Sequence, residues 1–156
     1  MKYLLLLACL LVTPTVFGND LAIGSELEGN RASAGSNSAV IHQVGTSNRA
    51  ISIQGGHGNS ATIAQLGQSN RASVRQGAYG NEAAILQSGG YLRADITQSG
   101  ASHNASIVQE GYDKEATINQ LGVSGAAAVL QLGGDHTPIS VTQFSRGRAS
   151  IQVIQH

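Results

Sequence analysis

The chain has 156 residues, a formal net charge of zero, 12 % charged and 4 % aromatic residues, 20 glycines and no tryptophan. That length suffices for one ordinary domain, but the large side chains that fill a globular core are scarce, so the composition suits thin repetitive β-structure or a disordered polar chain. Net neutrality gives no electrostatic case for binding nucleic acid or an acidic lipid surface.

The amino terminus reads as an export signal over residues 1–18. Lys2 supplies a minimal basic region, Leu4–Val12 an apolar run, Pro14 a break, and Val16 and Gly18 the small-residue slots of a cleavage site after Gly18. The run is shorter than the roughly 20 residues a membrane-spanning helix needs. Leu6-Leu7-Ala8-Cys9 resembles a lipobox but has only Leu4, Leu5 and a few neighbours ahead of it. Cleavage would remove Cys9, the one cysteine, leaving no thiol or disulfide chemistry. Residues 19–38 are rich in Gly, Ser and Asn, carry Glu26 and Glu28, and read as a flexible leader or a degenerate cap.

From Ala39 to the carboxyl terminus the chain repeats. Glutamine recurs every eleventh residue at Gln43, Gln54, Gln65, Gln76, Gln87, Gln98, Gln109, Gln120 and Gln131, then at spacings of twelve at Gln143 and Gln155. The unit is Ala-x-Ile/Val-x-Gln-x-Gly-x-x-Asn-x, and such a period marks one small unit stacked on itself. Its first five residues alternate, which puts Ala, Ile/Val and Gln on one side of a strand and the intervening pair on the other. The expected core is Ile41, Ile63, Val74, Ile85, Ile96, Ile107, Ile118, Val129 and Val141, with Ser52 the exception among the regular copies. Gly supplies positive φ in the turn, and Asn48, Asn59, Asn70 and Asn81 are expected to tolerate left-handed backbone and bond locally. One apolar side chain per strand gives a thin core, worth roughly 1.5–3 kcal/mol each, so amide ladders must add cohesion. The Asn slot becomes Leu92, His103, Lys114 and Gly125 in later copies, and the second half is therefore expected to stack less tightly or to be tuned for something other than self-stacking.

Eleven strand segments follow, and their exposed columns test whether two or three strands make one turn. The residues before Gln in alternate copies are His42, Ala64, Leu86, Val108 and Leu130, mostly apolar, against Ile53, Arg75, Thr97, Asn119 and Thr142, mostly polar. A 22-residue turn keeps these columns apart and a 33-residue turn mixes them. The predicted fold is all-β: a cross-β solenoid with two short strands per turn, about five turns, roughly 26 Å long at about 4.8 Å per rung.

Chemistry-bearing constellations are sparse. The five histidines have no ligand spacing, and Glu110, Asp113 and Glu115 read as a solvated turn rather than an acid/base pair, with Asp95 separate from them. Glycine runs lack the lysine and helix of a phosphate loop. No metal, cofactor or enzymatic activity is expected. An ice-binding module would need a flat outward threonine array, and Val40, Ile51, Thr62, Ser73, Ala84 and Asp95 are mixed. Arg49, Arg71 and Arg93 fall 22 apart with Glu115 next, a like-charge column expected to slow self-assembly. Leu86, Val108 and Leu130 could form a lateral docking face.

The spacing Gln-x-Gly-x-x-Asn-x-Ala-x-x-x-Gln, in QVGTSNRAISIQ from Gln43, QGGHGNSATIAQ from Gln54 and QLGQSNRASVRQ from Gln65, resembles that of the curlins, subunits of bacterial curli amyloid. The closing segment, with Arg146, Arg148, Ile151, Val153 and Gln155, resembles the last repeat of minor curlins, which nucleate the fibre. The resemblance implies a subunit exported through an outer-membrane pore with accessory factors. It would stay at the surface of a Gram-negative cell, polymerise with the major curlin or with itself, and support adhesion and biofilm formation. A major fibre subunit is the alternative. Minor curlins usually have five repeats of two strands, and eleven strands depart from that.

Overall fold

The computed structural model describes residues 36–156, and the expected signal and most of the leader lie outside them. Within that span the chain is all strand: β1 (Ser38–Thr46), β2 (Arg49–Gln54), β3 (Ser60–Gln68), β4 (Arg71–Tyr79), β5 (Glu82–Gly90), β6 (Arg93–Ala101), β7 (Asn104–Tyr112), β8 (Glu115–Gln131) and β9 (Ile139–Gln155). The last two run through a corner and carry two rungs each, so eleven strand segments stand in nine continuous strands.

All pairing is parallel and joins residues 22 apart through β8. Ala39 faces Ala61, Ala61 faces Ala83, and Ala83 faces Ala105 in one sheet; Ala50, Ala72, Ala94 and Ala116 line up in the other. The result is the two-strands-per-turn solenoid of about five turns. The first sheet runs β1, β3, β5, β7 and the second halves of β8 and β9; the second runs β2, β4, β6 and their first halves.

Period-two alternation puts Ala, Ile/Val and Gln of both sheets face to face. Ala61, Ile63, Ala72, Val74, Ala83, Ile85, Ala94, Ile96, Ala105, Ile107, Ala116, Ile118, Ala127, Val129 and Val141 form one narrow core. Small alanine opposite branched Ile or Val lets the two sheets close on so little apolar volume. Ile41 differs from expectation: it is 44 % exposed, because β1 is an end rung with no neighbour above it among the described residues. Gln43 is exposed for the same reason. Ser52 is half-buried above Val74, and its hydroxyl has no partner.

The turns also differ in one detail. The left-handed residue is the one before the Asn slot, as at Ser47 (φ 57), Ser69 (φ 58), Tyr91 (φ 56), Ser102 (φ 57) and Ser124 (φ 57), not the Asn itself. The repeat glycine is required by contact as well as by φ. A Cβ on Gly89 (φ +137) would lie 1.8 Å from the carbonyl oxygen of Gly111 one rung on.

Register lapses only in the last turn. Ala116 pairs with Ile139, 23 residues on, and after a bulge between Val123 and Gly125 the offset becomes 24, with Gln131 beside Gln155. The extra residues lie in the loop before β9 and at Gly147-Arg148.

Candidate templating surface

Two side-chain ladders run the length of the stack. In the second sheet Gln54 donates to Gln76 at 2.8 Å, Gln76 to Gln98 at 2.9 Å, Gln98 to Gln120 at 3.0 Å and Gln120 to Gln143 at 2.8 Å, always Nε2 to Oε1. In the first sheet Gln43 contacts Gln65, and Gln65, Gln87 and Gln109 each donate at 2.8 Å to Gln87, Gln109 and Gln131, which bonds Gln155 at 2.9 Å. The second amide hydrogen crosses to the facing sheet. Gln98 reaches the Glu82 carbonyl at 2.8 Å and Gln87 that of Arg71 at 3.1 Å. A buried amide so satisfied meets the requirement that polar groups taken out of water be paired.

Asparagine stitches the corners. Asn70 Nδ2 donates to the Leu66 carbonyl within its own turn at 3.3 Å and to the Gly89 carbonyl of the next rung at 3.1 Å. Its Oδ1 accepts the backbone N–H of Leu92 at 3.0 Å. Asn48, Asn59 and Asn81 repeat the scheme. The left-handed conformation of the preceding residue belongs to the corner rather than to this bonding, since Tyr91 before Leu92 and Ser124 before Gly125 share it. Asn37 plays the same part for Asn59, accepting its N–H at 2.9 Å, one slot before the first asparagine expected to do so.

The later occupants of that slot stay in register and stay buried: Leu92, His103 and Lys114 are each 1 % exposed. The expected loosening of the second half is not found as far as Gln131. The reason is local. The backbone rung pairs regardless of the slot, and each substitute finds its own accommodation. Leu92 fills the space with apolar volume. His103 Nδ1 accepts the Gly125 N–H at 3.1 Å, as an Asn oxygen would, which leaves Nε2 as the protonated nitrogen, buried without a partner. Lys114 extends to the loop carbonyls of Asp135 (2.6 Å) and Leu132 (3.4 Å), latching the loop that precedes β9. In that loop the Asp135 carboxyl is held below its ordinary range, first by the Thr137 backbone N–H, then by the Thr137 hydroxyl and the Gln155 side chain.

The terminal residues singled out in the sequence form the last rung. Ile151 stacks on Ala127, Val153 on Val129 and Gln155 on Gln131, all half-buried, while Arg146 and Arg148 point to solvent at the bulged corner. Among the described residues β9 pairs on one side only. Gln143 ends the second-sheet ladder, and its Nε2 is buried with no acceptor; the Ser145 hydroxyl beside it is in the same state. Sequence reading missed this pair, since nothing in a repeat pattern tells which copy lacks a neighbour. An unmet buried donor is costly until an acceptor arrives. In the regular rungs the corresponding acceptor is the Oε1 of the next glutamine, as for Gln76 and Gln98.

Of the metal-ligating types, no group of three or more His, Cys, Asp or Glu side chains gathers among the described residues. The family model described as Curlin associated repeat matches at residues 34–67, 53–77, 67–100 and 92–122. The rungs after Ala116 fall largely beyond those matches. No curated protein and no solved structure matches the chain.

Proposed function

The chain belongs to the curlin family, and from that premise we propose that it is the minor, nucleating subunit of a curli fibre. It is exported to the surface of a Gram-negative cell, passes the outer membrane through the curli secretion pore with its accessory factors, and presents a preformed rung to the major curlin. The role is structural rather than catalytic, and serves adhesion and biofilm formation.

The observation that carries the reading is the terminal rung: among the described residues β9 pairs on one side only, and Gln143 Nε2 is buried without an acceptor. A disordered subunit must lose about 1–2 kcal/mol of backbone entropy per residue to build a first rung. An edge that already holds the shape, with core and amide columns fixing the register, spares the newcomer that step; this is strand addition to an open sheet. The bulged, arginine-bearing end falls outside the regular repeat, as suits a starter more than a bulk subunit.

The major-subunit reading has its own support in the unbroken glutamine ladder from Gln65 to Gln131, which suits self-stacking equally well. Adding substoichiometric purified chain to monomeric major curlin separates them. Shortening of the thioflavin lag by the chain, and its loss on deleting residues 139–156, is the expected result. An unchanged lag removes the nucleator and leaves the major-subunit reading.

A further inference from the structure

Net neutrality hides a strongly polarised face. The outward positions of the second sheet carry Arg49 on β2, Arg71 and Arg75 on β4, and Arg93 on β6, with Arg49, Arg71 and Arg93 in one register column. Among the described residues there are two ion pairs, and both belong to Arg93, with Asp95 at 3.3 Å and Glu115 at 3.8 Å. Arg49, Arg71 and Arg75 have no carboxylate partner there. Two shallow hollows open over this column. One, of about 290 Å³, lies on the sheet face between Arg49, Arg71, Arg75 and Arg93. The other, of about 330 Å³, lies around the corner beside Tyr91 and is lined by the same three column arginines. Ser73 forms the floor of the first. It is an outward residue, yet only 7 % exposed, because the arginines cover it, and its hydroxyl accepts from Arg75 at 3.3 Å.

We propose that this face binds a linear, carboxylate-bearing polysaccharide lying along the stack axis. Guanidinium groups repeat here at the rung spacing of about 4.8 Å, so their charges form a straight line rather than a cluster about a point. A planar fork of N–H donors matches a planar carboxylate in two parallel bonds. The Ser73 hydroxyl at the floor and the Tyr91 hydroxyl at the corner add neutral partners of the kind sugar hydroxyls use. Asp95 and Glu115 engage Arg93 and close the far end of the strip, which leaves Arg49, Arg71 and Arg75 on two rungs as its arginines without a carboxylate among the described residues. Nucleic acid fits less well. The sheet-face hollow is lined by Arg49, Ile51, Arg71, Ala72, Ser73, Arg75, Arg93 and Asp95, with no aromatic platform for bases, and the corner hollow supplies a single ring, Tyr91, where a strand of stacked bases needs a series. This inference goes beyond the nucleating role and does not depend on it, because the face is lateral and the growing edge is not.

The test uses the full mature chain, immobilised, with polygalacturonate as the probe at low ionic strength. Binding is expected, weakened about tenfold in the R71Q/R75Q double variant, with a shallower dependence of log affinity on log salt. The R146Q/R148Q double variant, equal in charge change but at another corner, should bind as the parent does. R71K/R75K keeps the charge but not the fork, and should lie between the two. Circular dichroism checks that each variant keeps its sheet, and the lysine variant carries the test if the glutamine one does not fold. Absence of binding, equal losses in both glutamine variants, or parental affinity in R71K/R75K would overturn the proposal. So would duplex DNA of matched charge binding as tightly and depending equally on Arg71 and Arg75.

Discussion

Replacing Gln98 with methionine tests whether the amide ladder, rather than the thin apolar core, holds the stack together. Gln98 is 1 % exposed at the middle of its column. It donates to the Glu82 carbonyl at 2.8 Å and to Gln120 at 3.0 Å, and accepts from Gln76 at 2.9 Å. Methionine keeps the length and nearly the volume, so the cavity term is small. It leaves two acceptors and one amide hydrogen buried and unpaired, each costing about 1–3 kcal/mol. Burial of the thioether returns roughly 1.5–3 kcal/mol, so the net loss should be about 2–6 kcal/mol. The same change at Gln54, half-buried near the end of the stack, orphans fewer groups and leaves them near water; it should cost about 1 kcal/mol. Urea unfolding of each variant, read by circular dichroism at equal slope, gives the comparison. Equal midpoints for Gln98→Met and Gln54→Met, or a shift below 1 kcal/mol for the central one, would refute the claim that the ladder carries stability.

Three further outcomes follow from particular residues. Ala78 holds φ 73 in the slot that Gly56 and Gly100 fill on either side, so Ala78→Gly should raise stability by about 0.5–1 kcal/mol despite the added freedom of the unfolded chain, measurable as a higher urea midpoint. His103→Asn should keep an acceptor for the Gly125 N–H, remove the buried unpaired Nε2–H, and supply donors toward the carbonyls of Ser99 and Gly122, the positions Asn81 uses one turn earlier. A gain of about 1–2 kcal/mol is expected, and a loss in thermal unfolding would show that the imidazole is needed there for packing. The arginine column should hinder assembly, since neighbouring like charges at rung spacing repel by about 1 kcal/mol in water-like dielectric. R49N/R71N should shorten the thioflavin lag at low salt, with the difference vanishing at high salt; an unchanged lag at both would dismiss a kinetic role.

Much of the fold was legible because the repeat is its own alignment. Eleven-residue spacing of Gln gave the strand, and the contrast between the columns of Leu86 and of Arg75 gave two strands per turn. What stayed hidden depends on neighbours that no local pattern names. Ile41 and Ile63 are the same letter in the same slot, yet one is exposed because its rung is terminal. Asn looks like a residue suited to left-handed backbone, yet it is the residue before it that adopts that conformation, in corners with and without Asn, while the Asn side chain makes three bonds inside the corner. Lys114 reads as a break in the stack and is instead buried, since its length reaches loop carbonyls that a repeat consensus cannot place. The arginine column was legible from its 22-residue spacing, and the structure adds Arg75 on the same outward face of β4 and the ion pairs that engage Arg93.

The direction of the amide ladders has a consequence for growth. From Gln65 to Gln155 and from Gln54 to Gln143, every rung-to-rung amide bond runs from an N–H to the oxygen of the next glutamine toward the carboxyl-terminal end. Their dipoles add along the axis rather than cancel, as peptide dipoles do in a helix. A filament that continues this order has chemically unlike tips, one baring oxygens and the other hydrogens. Monomers meeting the two tips face different electrostatics, so elongation should be faster at one tip, giving a fibre with a head and a tail from its first rung.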